Sequence, residues 1–167
     1  MPDLSIENKK RQLNFNTIAG VDEAGRGPWA GPVYSAIVIL NKDRIPQGIN
    51  DSKKISEKKR MELYEEILLN HECGIGFASP EEIDRLNILE ATFLSMKRAL
   101  KNISIKPDYI LVDGNLSPKF KIPHETIIKG DNISMSIAAA SIIAKVERDK
   151  FMLNIDKEYP EYKWKKN

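Results

Sequence analysis

The sequence predicts an α/β or α+β fold, a single domain in which one sheet is flanked by helices. Three observations predict it. Short apolar runs of strand length come early and then alternate with stretches of helical period. The 167 residues suffice for one ordinary domain with a single core. No internal repeat or low-complexity stretch interrupts the pattern.

Residues 1–15 are polar and read as a flexible N-terminal arm, followed by one domain over 16–167. Runs 17–21 and 33–40 read as neighbouring strands joined by a Gly/Pro turn. A polar loop over 41–55 ends in Asn50-Asp51-Ser52-Lys53-Lys54. Ser56 can cap a helix over 57–70, with Met61, Tyr64, Ile67 and Leu68 on one face. Residues 73–78 form a third strand, and Ser79-Pro80-Glu81-Glu82 then makes a capping box with proline at the first helical position. The helical pattern continues to about 102 with a break near Asn87, and Leu89, Phe93, Met96 and Leu100 share a stripe. Two further strands, 109–112 and 125–128, end in Asp113-Gly114 and Lys129-Gly130-Asp131. One long helical pattern closes the chain over 134–159, rich in Ala and Ser at first and charged later.

Charged residues make up 30% of the chain and the net charge is only +2, so no global field draws a polyanion. A nucleic-acid site must be a local basic patch. The cations do cluster, at Lys53-Lys54, Lys58-Lys59-Arg60, Lys119 with Lys121, and Lys163 with Lys165 and Lys166, although each cluster alone reads first as a solvated face. A lone cysteine, Cys73, excludes a disulfide framework and a cysteine-based zinc site, and its surroundings read as a buried strand. His71 and His124 have no ligand spacing, which argues against zinc. The longest apolar run, 33–40, falls far short of the roughly 20 residues that span a bilayer, and no signal core opens the chain. A soluble, cytoplasmic protein without a membrane partner is expected.

The stretch Ile18-Ala19-Gly20-Val21-Asp22-Glu23-Ala24-Gly25-Arg26-Gly27-Pro28-Trp29-Ala30-Gly31-Pro32 carries the strongest chemical signal. An apolar strand delivers two adjacent acids into a glycine-rich turn that holds one arginine. Such acids hold hard divalent cations, and glycine backbone can approach a sugar-phosphate closely. Asp113 and Asp131 also sit at strand ends, where side chains from distant sequence gather. Each has a plainer alternative: Asp113-Gly114 as a turn, Asp131 as a cap for the helix near Ser134. Clustered acids repel unless cations neutralise them, and an all-oxygen set favours Mg²⁺ or Mn²⁺. Two such ions about 4 Å apart could activate a water and stabilise the leaving oxygen of a phosphodiester. Ser136, Ala138, Ala139, Ala140, Ser141 and Ala144 let the last helix approach the sheet closely, which would bring its positive N-terminal end towards the acids. Lys145 and Asp149 read as an intrahelical pair before a site contact.

Five motifs, Asp22-Glu23-Ala24-Gly25-Arg26-Gly27-Pro28, Asp51-Ser52-Lys53-Lys54, Val112-Asp113-Gly114, Lys129-Gly130-Asp131 and the 140–149 segment ending in Lys145-Val146-Glu147-Arg148-Asp149, occur in the order seen in ribonuclease HII. The chain resembles that family from residue 17 to about 162. The resemblance implies a ribonuclease H-like fold, a five-stranded mixed sheet flanked by helices. It implies an endonuclease that cuts the RNA strand of RNA–DNA hybrids and nicks 5′ of a ribonucleotide in duplex DNA. A monomer is expected. By position, Asp22, Glu23, Asp113 and Asp131 would be catalytic, metal-binding acids for Mg²⁺ or Mn²⁺. Gly25, Arg26 and Gly27 would sense the ribose 2′-hydroxyl and hold a phosphate, and Ser52, Lys53 and Lys54 would contact the substrate backbone. The chain stops at Asn167, short of a Gly-Tyr-Gly-Thr-like motif whose tyrosine packs on the sugar in the family, so a C-terminally shortened member is expected. Its alternatives are a weakly active hybrid-binding domain, or the related ribonuclease HIII. The short segment before Ile18 and the arginine inside the Gly-x-Gly loop argue against the latter.

Overall fold

A computed structural model describes residues 1–164, so Lys165 and Lys166 of the last basic cluster lie outside the described residues. The chain runs α1 (Ser5–Gln12), β1 (Ile18–Ala24), β2 (Val33–Ile39), α2 (Glu57–Asn70), β3 (Glu72–Ala78), α3 (Pro80–Leu86), α4 (Ile88–Asn102), β4 (Tyr109–Asp113), β5 (His124–Ile127) and α5 (Met135–Glu158), with short 3₁₀ turns at Gly130–Asn132 and Pro160–Tyr162. The five strands make one mixed sheet in the order β3-β2-β1-β4-β5. β2 is antiparallel to both β1 and β3, while β4 is parallel to β1 and to β5.

Local chemistry sets the helix starts. Ser56 accepts from the Lys59 amide at 3.2 Å. Ser79 and Glu82 form the reciprocal capping box, and Glu82 is also gripped by Arg98 through two bonds of 2.6 and 2.7 Å. Asn87, at φ +70°, ends α3 and caps α4 through the Leu89 and Glu90 amides. Ser134 caps α5 by accepting from Ile137.

Two buried layers enclose the sheet. On one face α5 lays Ala138, Ala139, Ala140, Ile142 and Ile143 against Ala36 and Val38, with Leu63, Tyr64 and Ile67 of α2 outside it. On the other, Met96 and Ala99 of α4 pack with Val21, Ile37, Ile110 and Val112. Small residues allow the backbones to approach and keep α5 seated low on the central strands.

Four expectations need correcting. Residues 5–12 are no loose arm but a helix, because Glu7 is buried and its Oε1 accepts from Ser134 Oγ, Ser136 N and Ser136 Oγ at 2.7–3.0 Å. Lys10 adds an ion pair to Glu125 of β5 at 2.9 Å. On α2 the buried set is Leu63, Tyr64 and Ile67, whereas Met61 and Leu68 are exposed, because the helix presents only one narrow side to α5. β1 continues to Ala24, so Asp22 and Glu23 belong to the strand itself. Cys73 is only partly covered, though burial pushes its thiol up to about 12. Among the described residues no helix is long and apolar enough to cross a membrane.

Candidate active site

The parallel pair at the centre of the sheet builds the site. Val21 of β1 pairs with Val112 of β4, so Asp22 and Asp113 follow side by side at the carboxyl ends of neighbouring strands. The 3₁₀ turn after β5 brings Asp131 alongside: the amides of Gly130 and Asp131 donate to Asp113 Oδ1 at 2.6 and 3.4 Å. Asp22, Glu23, Asp113 and Asp131 all border one cavity of about 390 Å³, together with Gly25, Arg26, Gly27, Ser52 and Lys53. Lys54 is the exception. Its ammonium is held by the Asn132 side chain and lies outside that cavity, which ties the 51–54 loop to the turn carrying Asp131.

Electrostatics at this point are strained by design of the sheet end. Asp22 is only 6% exposed. Burial, then the charges of Glu23 and Asp113, hold its carboxyl well above the usual range despite a 2.7 Å bond from the Glu23 amide. Burial also raises Glu23, opposed by Arg26, whose Nη1 stands 3.2 Å from Glu23 Oε1. Asp113 is raised by burial and then by the charge of Asp131. Carboxylates crowded in a poorly hydrated pocket favour whatever cation reaches them.

Five lining residues are not among the site residues read from the sequence, where Lys145 reads first as an intrahelical pair: Ala24, Pro28, Ser141, Lys145 and Arg148. The last three lie at spacings of four and three along α5, one helical face, which is a signal that was available. Lys145 does both jobs weighed for it, pairing with Asp149 at 2.7 Å and lining the cavity. Arg148 is almost wholly buried and donates to the Pro32 and Ala30 carbonyls at 3.1 and 2.8 Å, which holds the far side of the glycine loop. Gly25, at φ +111°, leaves no room for a Cβ, which would meet the Pro32 carbonyl oxygen at 2.5 Å and Arg148 Nε at 2.7 Å. Ser52 is pinned by a 2.8 Å bond from Ser141. The middle of α5 therefore faces the acids. Its N-terminus does not serve them as expected, because Asp3, Glu7 and Ser134 already accept from its first amides.

The family model described as Ribonuclease HII matches residues 19–167. This chain belongs to the ribonuclease HII family. It is 54% identical over 167 residues to a ribonuclease HII of Wolbachia sp. subsp. Brugia malayi, covering 99% of this chain and 80% of that protein. A ribonuclease HII of Ruegeria sp. is 47% identical, with 99% and 73% covered. Among solved structures, the ribonuclease H2 from Pyrococcus horikoshii superposes with a TM-score of 0.77 at 29% identity, over 88% of this chain and 79% of that one. The fold is thus ribonuclease H-like, and the chain is an enzyme of the ribonuclease H class, an endonuclease.

Ribonucleases H depend on divalent metal. Among the described residues no group of three or more His, Cys, Asp or Glu side chains is already gathered closely enough to hold an ion. Glu23 is held by Arg26, Asp113 by two amides, and Asp22 by one. The donor chemistry nevertheless fits such an ion: hard oxygen atoms only, raised proton affinities, and mutual repulsion that a divalent cation would relieve.

Proposed function

We propose that this chain hydrolyses the RNA strand of RNA–DNA hybrids and nicks duplex DNA on the 5′ side of an embedded ribonucleotide. The observation that carries the reading is the meeting of four carboxylates, the Gly25-Arg26-Gly27 loop and the Lys53 and Lys145 ammonium groups around one cavity. Water attacks phosphorus, the bond to the 3′ oxygen breaks, and the products are a 3′-hydroxyl and a 5′-phosphate. Asp22, Glu23, Asp113 and Asp131 would hold two Mg²⁺ or Mn²⁺ ions, which supply Lewis-acid charge for the attacking and leaving oxygens. The other residues bind and select. Arg26, Lys53 and Lys145 offer positive charge to phosphate oxygens, and Lys54 meets the backbone outside the cavity. Backbone at Gly25 and Gly27 can approach the ribose 2′-hydroxyl, the group that separates RNA from DNA at a given base.

The test is cleavage of a DNA duplex carrying one ribonucleotide, with Mg²⁺ or Mn²⁺ and an all-DNA control. A single metal-dependent nick 5′ of the ribonucleotide is expected, and an intact duplex would overturn the reading. A second reading, a hybrid binder with little turnover, is motivated by Glu23 and Asp113 already being engaged by Arg26 and by the Gly130 and Asp131 amides. It predicts salt-sensitive binding without a nick. Arg26 is half exposed and pairs with Glu23, so Arg26→Ala should lower melting only slightly. It should raise KM and reduce the slope of log affinity against log salt by about one. An unchanged slope would remove Arg26 from the phosphate.

A further inference from the structure

Trp29 is fully exposed, at 104% of its reference area, on the loop that forms one wall of the cavity. It follows Pro28, which lines that cavity, and precedes Ala30, whose carbonyl is fixed by Arg148 at 2.8 Å. Arg148 is 2% exposed and also holds the Pro32 carbonyl at 3.1 Å. The indole therefore projects from a clamped backbone. A tryptophan buries 150–250 Å² of mostly apolar surface when covered, so holding one entirely in water forgoes a large favourable contribution. What can cover it is set by its neighbours. Arg26, Lys53 and Lys145 present three cations on the adjoining cavity, and they suit a polyanion whose sugars and bases offer flat faces.

Resting on the reading above, we infer that Trp29 packs on the nucleic-acid duplex beside the scissile phosphate, its ring against a sugar face of one strand. It acts as a positioning residue: it touches no reacting atom but fixes where the strand lies relative to the acids. Packing of this kind tolerates any sequence, because every nucleotide offers such a face. It would thus serve an enzyme that selects by the 2′-hydroxyl rather than by base identity.

The chain has two tryptophans, so Trp164→Phe leaves Trp29 as the sole indole and keeps a ring on Tyr162, 5.1 Å away between centroids. Duplex DNA with one ribonucleotide is titrated into this protein without divalent ions, following Trp29 emission and the anisotropy of a labelled strand. Emission should fall in step with binding. Trp29→Ala should weaken binding about 5- to 100-fold, with Trp29→Phe recovering most of it. In the cleavage assay the loss should fall on KM, leaving kcat within about twofold. Unchanged emission together with parental affinity of Trp29→Ala would overturn the inference while the nuclease reading stood. A variant that altered only self-association would overturn it in favour of a protein contact. Failure of the parent to bind any duplex would remove the nuclease reading and the inference with it.

Discussion

Asp113→Asn is expected to abolish cleavage and leave the protein folded. Asp113 closes β4, and its Oδ1 accepts the Gly130 and Asp131 amides. An asparagine oxygen accepts both, so the link between β4 and the turn carrying Asp131 survives. What disappears is one negative charge from a set that would have to hold divalent ions. Removing partners that merely orient metal ligands costs 10–100-fold, so losing a ligand charge should cost more than about 100-fold in kcat/KM. The stability change runs the other way. The parent carboxyl sits above its ordinary value because of burial and then the Asp131 charge. An acid raised in the folded state costs nothing while protonated in both states. Its penalty appears as pH climbs past the ordinary aspartate value of about 3.9. In metal-free buffer the variant should therefore melt no lower than the parent, with its advantage growing from about pH 4 towards neutrality. Divalent ions should raise the melting point of the parent more than that of the variant. Cleavage within about tenfold of the parent would show that Asp113 is not a ligand.

Much of this fold was legible because its signals are local. Ser56, Ser79 with Glu82, and Ser134 each cap a helix with a partner three residues away. Asn87 broke the pattern where it turns to positive φ. The α1 helix was invisible for the opposite reason. Its only buried residue is a glutamate, and the groups that bond its Oε1 lie 127 and 129 residues downstream. A polar segment read alone has no way to announce that a distant helix will receive its carboxylate. The α2 stripe failed more mildly: several faces of that helix carry apolar residues, and which one is buried depends on where α5 runs.

At the site, adjacency in sequence misled once. Lys53 and Lys54 read as equals, yet the loop turns Lys53 to the cavity and Lys54 to Asn132. Arg148 was visible as part of a motif, but its burial and its hold on two carbonyls are consequences of how close α5 lies to the glycine loop. Composition argued that closeness correctly and its purpose incorrectly. The small residues seat α5 so that Ser141, Lys145 and Arg148 reach the cavity, while the helix N-terminus is spent on α1.

The closeness itself makes the largest structural prediction. Gly20 faces the first turn of α5, where an added Cβ would stand 2.1 Å from the Ser136 carbonyl carbon, 2.3 Å from the Ile137 nitrogen and 2.4 Å from the Ser136 oxygen. All three are backbone atoms, so no rotamer change makes room; the helix must move off the strand. That turn is held by the Ser136 amide to Glu7 at 3.0 Å and by the Met135 amide to the Asp3 carbonyl at 3.0 Å, and both would be pulled apart. Gly20→Ala should therefore cost about 3 kcal/mol or more, the upper end for overpacking. For a domain of this size that is roughly 6–12 °C in melting temperature. Gly27→Ala is the matched control, because nothing lies within 4 Å of its added Cβ and its φ is not positive. It should melt close to the parent. If Gly20→Ala did so too, α5 would not rest on β1 as closely as described. Where the variant still folds, a tilted α5 would also carry Lys145 and Arg148 away from the acids, so activity should fall further than the loss of folded protein explains.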